Sequence, residues 1–238
     1  MIESWTPYCG AAPVPAEWLA RWNLDPVLIG GLVLVALVLW SRTAFRGRLG
    51  AALAVALLLF VSPLCALSSA LFSVRVAHHV LLAGLLAPLA MAAFPRLRVP
   101  GSAPAWTLAH AVMFWVWHAP QPYAFALSHD VGYWLMQFSL LGSALSFWAS
   151  LRQSPAPLAI GLLLGFMVQM GLLGALITFA GNPLYAPHYL TTVAWGFSPI
   201  EDQQLAGILM WAPASALYLG AAMVLGWRAL GQPRQVPA

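Results

Sequence analysis

The hydrophobic pattern of the chain consists of long apolar runs separated by short stretches that hold most of its charged and proline residues. A helix needs about 20 predominantly apolar residues to cross the hydrocarbon core of a membrane. Several runs reach or approach that length, so we predict an all-α, polytopic membrane helical bundle with about seven transmembrane helices. The predicted spans are 26–42, 49–67, 74–94, 104–120, 130–151, 156–180 and 200–228.

The pattern divides the chain into three parts. Residues 1–25 form a Pro-rich and Trp-rich leader that we expect outside the cytoplasm, residues 26–230 form a seven-span transmembrane domain, and residues 231–238 form a cytoplasmic tail. The leader has no basic segment followed by an apolar core, so it does not resemble a cleavable signal.

Two helix starts are marked by capping residues. Asp25 precedes Pro26, which predicts an Asp N-cap followed by proline at the first helical position. Ser198 lies three residues before Glu201, a spacing that predicts a capping box at the start of the last span.

Composition agrees with a membrane protein. Hydrophobic residues make up 62% of the 238-residue chain and charged residues 7%, and the mean hydropathy is +0.83. An average soluble domain has about 25% charged residues. The net charge is +4, but the ten basic residues are all arginines scattered between apolar runs. The sequence has no basic patch of the kind that would indicate a nucleic-acid partner. We expect a multi-pass protein of the bacterial inner (plasma) membrane, surrounded by the lipid bilayer.

The arginines predict an orientation. They follow the first, third, fifth and seventh runs, and the positive-inside rule places those ends in the cytoplasm. We therefore expect the N-terminus outside and the C-terminus in the cytoplasm, with the carboxylates outside. The inside arginines are Arg42, Arg46, Arg48, Arg96, Arg98, Arg152, Arg228 and Arg234, and the outside carboxylates are Glu3, Glu17, Asp25, Asp130, Glu201 and Asp202.

Histidines inside apolar spans point to a functional site, because imidazole and charge are costly in hydrocarbon. Other candidate ligands gather at the same predicted outer side. The candidate metal ligands are His79, His118, Cys9, Cys65, His78, His110, Met210 and Asp202. Sulfur together with imidazole favours copper, especially Cu(I), over Mg or Ca. Zinc is the nearest competitor, but the sequence has neither a CxxC pair nor an HExxH helix.

Several of these residues have a structural alternative. His78 and His79 are adjacent and point about 100° apart on a helix, so only one can face a shared site. His129 and His188 lie in predicted outer loops and are expected to be interfacial side chains in contact with water. Asp202 lies in a first helical turn, where the helix dipole favours a carboxylate.

The two cysteines have two uses that the sequence leaves open. Cys9 in the leader and Cys65 near the outer end of the second span can act as metal ligands, or they can form a disulfide between leader and bundle in an oxidising compartment.

Four stretches carry a resemblance to a known family. They are YCGAAPVPAEWLARWNLDP in the leader, SPLCALSSALFSVRVAHHVLLAGLLAPL through the third span, WHAPQPYAFAL after the fourth, and EDQQLAGILMW at the start of the seventh. Together they resemble the CtaG-type membrane proteins that assist assembly of caa-type cytochrome c oxidases. The resemblance implies seven spans and a function in oxidase maturation, with copper handling and with an oxidase subunit or other assembly factors as partners.

The resemblance also selects residues. His79, His118, Asp202, Gln203, Met210 and Trp211 occupy positions typical of that family. Two positions depart from it, because Arg75 and Gln137 stand where members often carry histidine. An arginine does not ligate a metal, so a site of four histidines is not complete here, and Cys9 and Cys65 are the possible replacements.

Other functions have less support from the sequence. No Ser-His-Asp spacing or phosphate-binding loop is present, and we do not expect an enzyme. The main alternative is a membrane redox protein with a b-type haem held by His79 and either His118 or His110. A small-molecule transporter would be expected to carry an internal repeat, which the chain lacks.

Overall fold

The computed structural model describes Trp5 and residues 7–231. The described part is built from nine α-helices and three short 3₁₀ turns, without β-strands, which confirms the all-α prediction. The predicted tail beyond Gly231 and leader residues 1–4 and 6 lie outside the described residues. The helices are α1 Pro26–Arg42, α2 Arg46–Phe60, α3 Leu64–Ala70, α4 Phe72–Ala93, α5 Ala103–His118, α6 Pro120–Ser128, α7 Asp130–Arg152, α8 Ala156–Phe179 and α9 Pro199–Leu230.

Both predicted capping signals are confirmed. The Asp25 side chain accepts a 2.8 Å hydrogen bond from the Val27 backbone N–H at the start of α1. At the start of α9, the Ser198 backbone N–H donates to the Glu201 carboxylate at 2.8 Å, and the Glu201 N–H donates to the Ser198 hydroxyl at 3.3 Å.

The predicted apolar runs lie in helices, but the count of seven spans is not supported by helix length and apolarity. Within the described residues, α4, α8 and α9 are each long and apolar enough to cross a membrane. A fourth span is possible if α2 and α3, which are bent by 41° at their junction, act as one. α1 has 17 residues and α5 has 16, at and just below the lower end of the roughly 17–25 residues seen in membrane-spanning helices.

Helix α4 lies at the centre of the bundle. Its most apolar stretch is 56% buried, against 39% for α8 and 22% for α9, and it packs against α2, α7 and α9. A π-helical turn at Leu82–Leu86 interrupts it just before Pro88. Because proline lacks an N–H and clashes with the carbonyl four residues earlier, a wider turn relieves the conflict. The indole of Trp148 donates a 2.8 Å hydrogen bond to the Ala83 carbonyl in this turn.

Arginines from other helices cap the C-terminal end of α4. Arg48 donates to the Ala92 carbonyl at 3.0 Å, and Arg152 donates to the Met91 carbonyl. Positive groups at a helix C-terminus oppose the negative end of its dipole and satisfy its free carbonyls.

The last two long helices, α8 and α9, approach each other closely through glycines. A methyl group added at Gly174 would come within 2.7 Å of the Gly207 carbonyl oxygen, and one added at Gly207 would come within 2.6 Å of the Gly174 carbonyl oxygen. Small residues at crossing points let two helix backbones come into contact, as in membrane helix pairs.

Candidate functional site

His79 and His118 form a buried imidazole pair. His79 comes from the first half of α4 and His118 is the last residue of α5, where Ala119 and Pro120 end the helix. The Nδ1 atom of His79 lies 3.4 Å from Nε2 of His118, and the two rings are nearly perpendicular. Both side chains are shielded from solvent, with exposures of 0% and 2%.

The hydrogen bonds assign the protonation of this pair. His118 Nδ1 lies 2.7 Å from the Phe114 carbonyl oxygen, which can only accept, so Nδ1 carries the proton and Nε2 has a free lone pair. His79 then donates from Nδ1 to that lone pair. The Nε2 atom of His79 is buried and has no partner among the described residues.

A buried guanidinium lies one helical turn before this pair. Arg75 is fully buried, and its three nitrogens make no hydrogen bond within the described residues. Its guanidinium carbon lies 5.4 Å from the centre of the Tyr133 ring, a cation–π contact. In the part of the chain that the structure describes, the one ion pair is Arg21–Glu17 in the leader, so Arg75 has no carboxylate partner there.

The structure separates His78 and His110 from the pair. His78 points towards α2, where its Nε2 lies 3.1 Å from the Leu59 carbonyl oxygen, so the two adjacent histidines do face different sites. His110 lies 2.8 Å from the Ser143 hydroxyl and stacks on the Phe166 ring with centroids 4.8 Å apart. Both imidazoles have structural partners of their own.

Cys9 and Cys65 form a disulfide that joins the leader to α3. Their predicted use as thiolate ligands therefore does not hold for this oxidised state, because a disulfide sulfur is not a thiolate. The Tyr133 hydroxyl lies 3.6 Å and 3.8 Å from the two sulfurs, which places the disulfide beside the Arg75 contact.

Asp202 and Met210 also lie outside the imidazole pair. The Asp202 carboxylate accepts hydrogen bonds from the backbone N–H groups of Phe72 and Ser73 and from the Ser73 hydroxyl, so it caps the start of α4. Met210 is fully buried in the apolar core. Of the eight predicted ligands, the structure brings only His79 and His118 together as free donors, and it contains no group of three His, Cys, Asp or Glu suited to a metal among its described residues.

The b-haem alternative is not supported. A porphyrin held by two histidines lies between their coordinating nitrogens, but the facing nitrogens of His79 and His118 are 3.4 Å apart and in direct contact. His110 is surrounded by the aromatic rings of Phe114, Phe147 and Phe166.

The loop between α8 and α9 contributes residues that sequence reasoning missed. His188 was expected to contact water, but it is 2% exposed, and this prediction was wrong. Its Nε2 accepts a 2.6 Å hydrogen bond from the Tyr123 hydroxyl, and its Nδ1 lies 3.2 Å from the Ala70 carbonyl oxygen. Burial lowers the pKa of His188 to about 3. His129, by contrast, is exposed, as expected for an interfacial side chain, and its ring is tilted by 31° against that of Phe125, with centroids 5.2 Å apart.

The same loop contacts the backbone of His118 through Tyr185. Its hydroxyl donates a 2.7 Å hydrogen bond to the His118 carbonyl, and its ring stacks on Phe72 at 3.6 Å between centroids. The signal in the sequence was the density of proline and aromatic residues between Pro183 and Tyr189, since prolines restrict a loop and buried tyrosines require partners.

Comparison with known proteins now bears on the function. A family model described as cytochrome c oxidase caa3 assembly factor (Caa3_CtaG) matches residues 40–232. The chain belongs to this family. The resemblance found in its motifs is thereby confirmed. Neither a comparison with curated proteins nor one with solved structures finds a significant match.

The two departures from the histidine pattern share a property in this caa3 assembly factor. Arg75 and Gln137 are both buried, and none of their polar side-chain atoms has a hydrogen-bond partner among the described residues. Buried polar groups in folded proteins are nearly always paired, so exceptions call for an explanation. The family is one of assembly factors and is not a class of enzymes.

Proposed function

We propose that this protein assists biogenesis of a caa3-type haem-copper oxidase by receiving or presenting Cu(I) at the outer face of the bacterial inner membrane, through His79 and His118. Family membership supports the assembly function. The observation that carries the copper hypothesis is the imidazole pair, buried and with facing nitrogens 3.4 Å apart. Its partner is an oxidase subunit or another assembly factor.

The donor set suits Cu(I). Imidazole is a good copper ligand. The Phe114 carbonyl accepts a hydrogen bond from Nδ1 of His118, and metal-binding histidines are commonly oriented by such a bond from the ring nitrogen that does not bind the metal. His79 can offer Nδ1 if its proton moves to Nε2, which has no other partner. No proton is then lost from the pair on binding. Copper is the cargo of this site, and the two histidines hold it for transfer.

Arg75 affects which ion fits. It precedes His79 by one turn, and its positive charge raises the energy of any cation at the pair. Coulomb energy is proportional to charge, so a divalent ion suffers twice the repulsion that a monovalent ion does. Arg75 therefore disfavours Zn²⁺ and Cu²⁺ relative to Cu(I), and it weakens retention of the cargo.

We also propose seven spans with the N-terminus outside and the C-terminus in the cytoplasm. Arg48 and Arg152, assigned to the cytoplasmic side by charge bias, cap the same end of α4, and Asp202 caps its other end. This separation of charges supports the orientation. A reporter that is active only in the cytoplasm is expected to be active when it is fused after Ala238. A reporter that is active only after export is expected to be inactive there, and its activity would contradict the topology.

Copper binding is tested by competition between purified protein and a Cu(I) chelator. Wild type is expected to hold one Cu(I), and His79→Ala and His118→Ala are each expected to weaken binding at least about 100-fold, corresponding to about 3 kcal/mol. His129→Ala is the matched control, because His129 is an exposed histidine. The proposal would be contradicted if wild type and the three variants bound Cu(I) with equal affinity. It would also be contradicted if wild type bound no Cu(I).

A further inference from the structure

An apolar groove opens between α1 and the rest of the bundle. It has a volume of about 560 Å³ and is lined by one side of α1 together with α2, α4 and α7. Within α1, all of whose residues are described, only Leu28 is buried, so this helix packs loosely and leaves the groove open at its side. The volume is in the range of small-molecule sites, roughly 300–1,000 Å³.

One buried amide faces this groove. Gln137 of α7 lines it, is 1% exposed, and has neither its amide nitrogen nor its amide oxygen paired within the described residues. An unpaired buried polar group is costly, on the order of 1–3 kcal/mol, and a ligand that hydrogen-bonds to it recovers that energy. A carboxamide donates and accepts, so it complements a carbonyl or a hydroxyl group.

Depth and charge define the ligand further. Gln137 lies seven residues after Asp130, the first residue of α7, which is roughly 10 Å along the helix. A charged headgroup would be costly at that depth. The polar end of the groove is formed by Tyr8 and Asp25, which are hydrogen-bonded to each other. The Tyr8 hydrogen bond lowers the pKa of the Asp25 carboxyl, so it is ionised and repels an anionic headgroup.

We infer that the groove is a binding site for a neutral, membrane-soluble molecule with a long apolar body and a carbonyl or hydroxyl group, the chemistry of a prenylquinone. The polar group of this ligand hydrogen-bonds to the Gln137 amide, and its apolar body lies between α1 and α2. It enters from the bilayer past α1. This site is separate from the imidazole pair and does not depend on copper.

Native mass spectrometry of the detergent-solubilised full-length protein tests the site. The probe is decylubiquinone, and decylbenzene, which has the same alkyl chain without carbonyl groups, is the ligand control. We expect one decylubiquinone per chain, with decylbenzene at least about tenfold weaker. Gln137→Leu, which removes the amide but keeps a side chain of similar size, is expected to lower decylubiquinone affinity about tenfold and to leave decylbenzene binding unchanged.

Two glycines of α1 provide a matched steric test. Gly31 lines the groove, whereas Gly30 does not, and an added Cβ meets no atom within 4 Å at either position. Gly31→Phe is therefore expected to block binding, and Gly30→Phe to bind as wild type does. Equal binding of the two ligands, with no effect of Gln137→Leu, would show a cleft for lipid tails and overturn the proposal. Absence of decylubiquinone binding in wild type would also overturn it.

Discussion

The carboxylate of Asp202 accepts a 2.7 Å hydrogen bond from the backbone N–H of Phe72, which precedes it by 130 residues. Through this contact the last helix caps the first turn of α4 and fixes where α4 begins. The imidazole of His79 lies two turns further along α4, so the position of the imidazole pair depends on this cap. Asp202 therefore supports the site through structure, as the cap of α4.

Replacement of Asp202 by alanine is expected to destabilise the protein. The N–H groups of Phe72 and Ser73 would be left buried without partners, at about 1–3 kcal/mol each. A lower melting temperature in detergent is the measurement. Asp130→Ala is the control, since Asp130 is exposed in the first turn of α7. Equal melting temperatures of the two variants would contradict the capping function.

Gly207→Ala is expected to disrupt the contact between α8 and α9. The new methyl group would come within 2.7 Å of the Thr178 backbone nitrogen and 2.6 Å of the Gly174 carbonyl oxygen. Overpacking of this kind costs about 1–3 kcal/mol. Gly220→Ala, also in α9, is the control, because its methyl group would meet no atom within 4 Å. Thermal unfolding in detergent should separate the two variants, and a wild-type melting temperature for Gly207→Ala would contradict the close approach.

The disulfide predicts that the protein purified without reductant has no alkylatable thiol. Cys9→Ser should lower the free energy of unfolding by about 2–4 kcal/mol, because the bond closes a loop with a sequence separation of 56 residues. Mass spectrometry after alkylation counts the thiols. Two labelled cysteines in the native, unreduced protein would argue against the disulfide and restore both residues as candidate ligands.

Acid sensitivity is expected to depend on His188. Burial, with a smaller contribution from the Arg75 charge, lowers the pKa of His188 to about 3, whereas that of histidine in an unfolded chain is about 6.5. Between these values the unfolded chain binds a proton that the folded protein does not. Stability from this group is therefore present above about pH 6.5 and is lost as the pH falls towards 3.

His188→Gln removes this protonation, and a glutamine amide can still accept from Tyr123 and donate to Ala70. When the pH is lowered from about 7 to about 5, the melting temperature of the variant should fall by less than that of wild type. His129→Gln, at an exposed position, should behave like wild type. An identical pH dependence of His188→Gln and wild type would count against a buried neutral imidazole.

Local patterns in the sequence were sufficient to locate the long helices, but not the short helices α3 and α6. Apolar runs predicted the positions of the long helices, and the first run coincides with α1, because the cost of exposing backbone to hydrocarbon leaves few alternatives. The break near Ser62 and Pro63 was missed, since the run stays apolar across it. Pro63 carries the signal for that break.

The candidate site was less predictable, because its contacts link residues far apart in the chain. Adjacent His78 and His79 were correctly expected to diverge, since helix geometry alone decides that. Two other features depend on how distant helices and loops pack: the cap between Asp202 and Phe72, and the burial of His188. This packing cannot be predicted from the local spacing of residues.

The copper content of the caa3-type oxidase tests the central claim most directly. The oxidase would be isolated from a strain lacking this gene and complemented with wild type, His79→Ala or His129→Ala, with membrane levels of each variant compared by immunoblot. We predict an oxidase that contains haem but is depleted of copper in the deletion and His79→Ala strains, and full copper with wild type or His129→Ala. A normal ratio of copper to haem and normal activity in the deletion strain would contradict a function in copper handling.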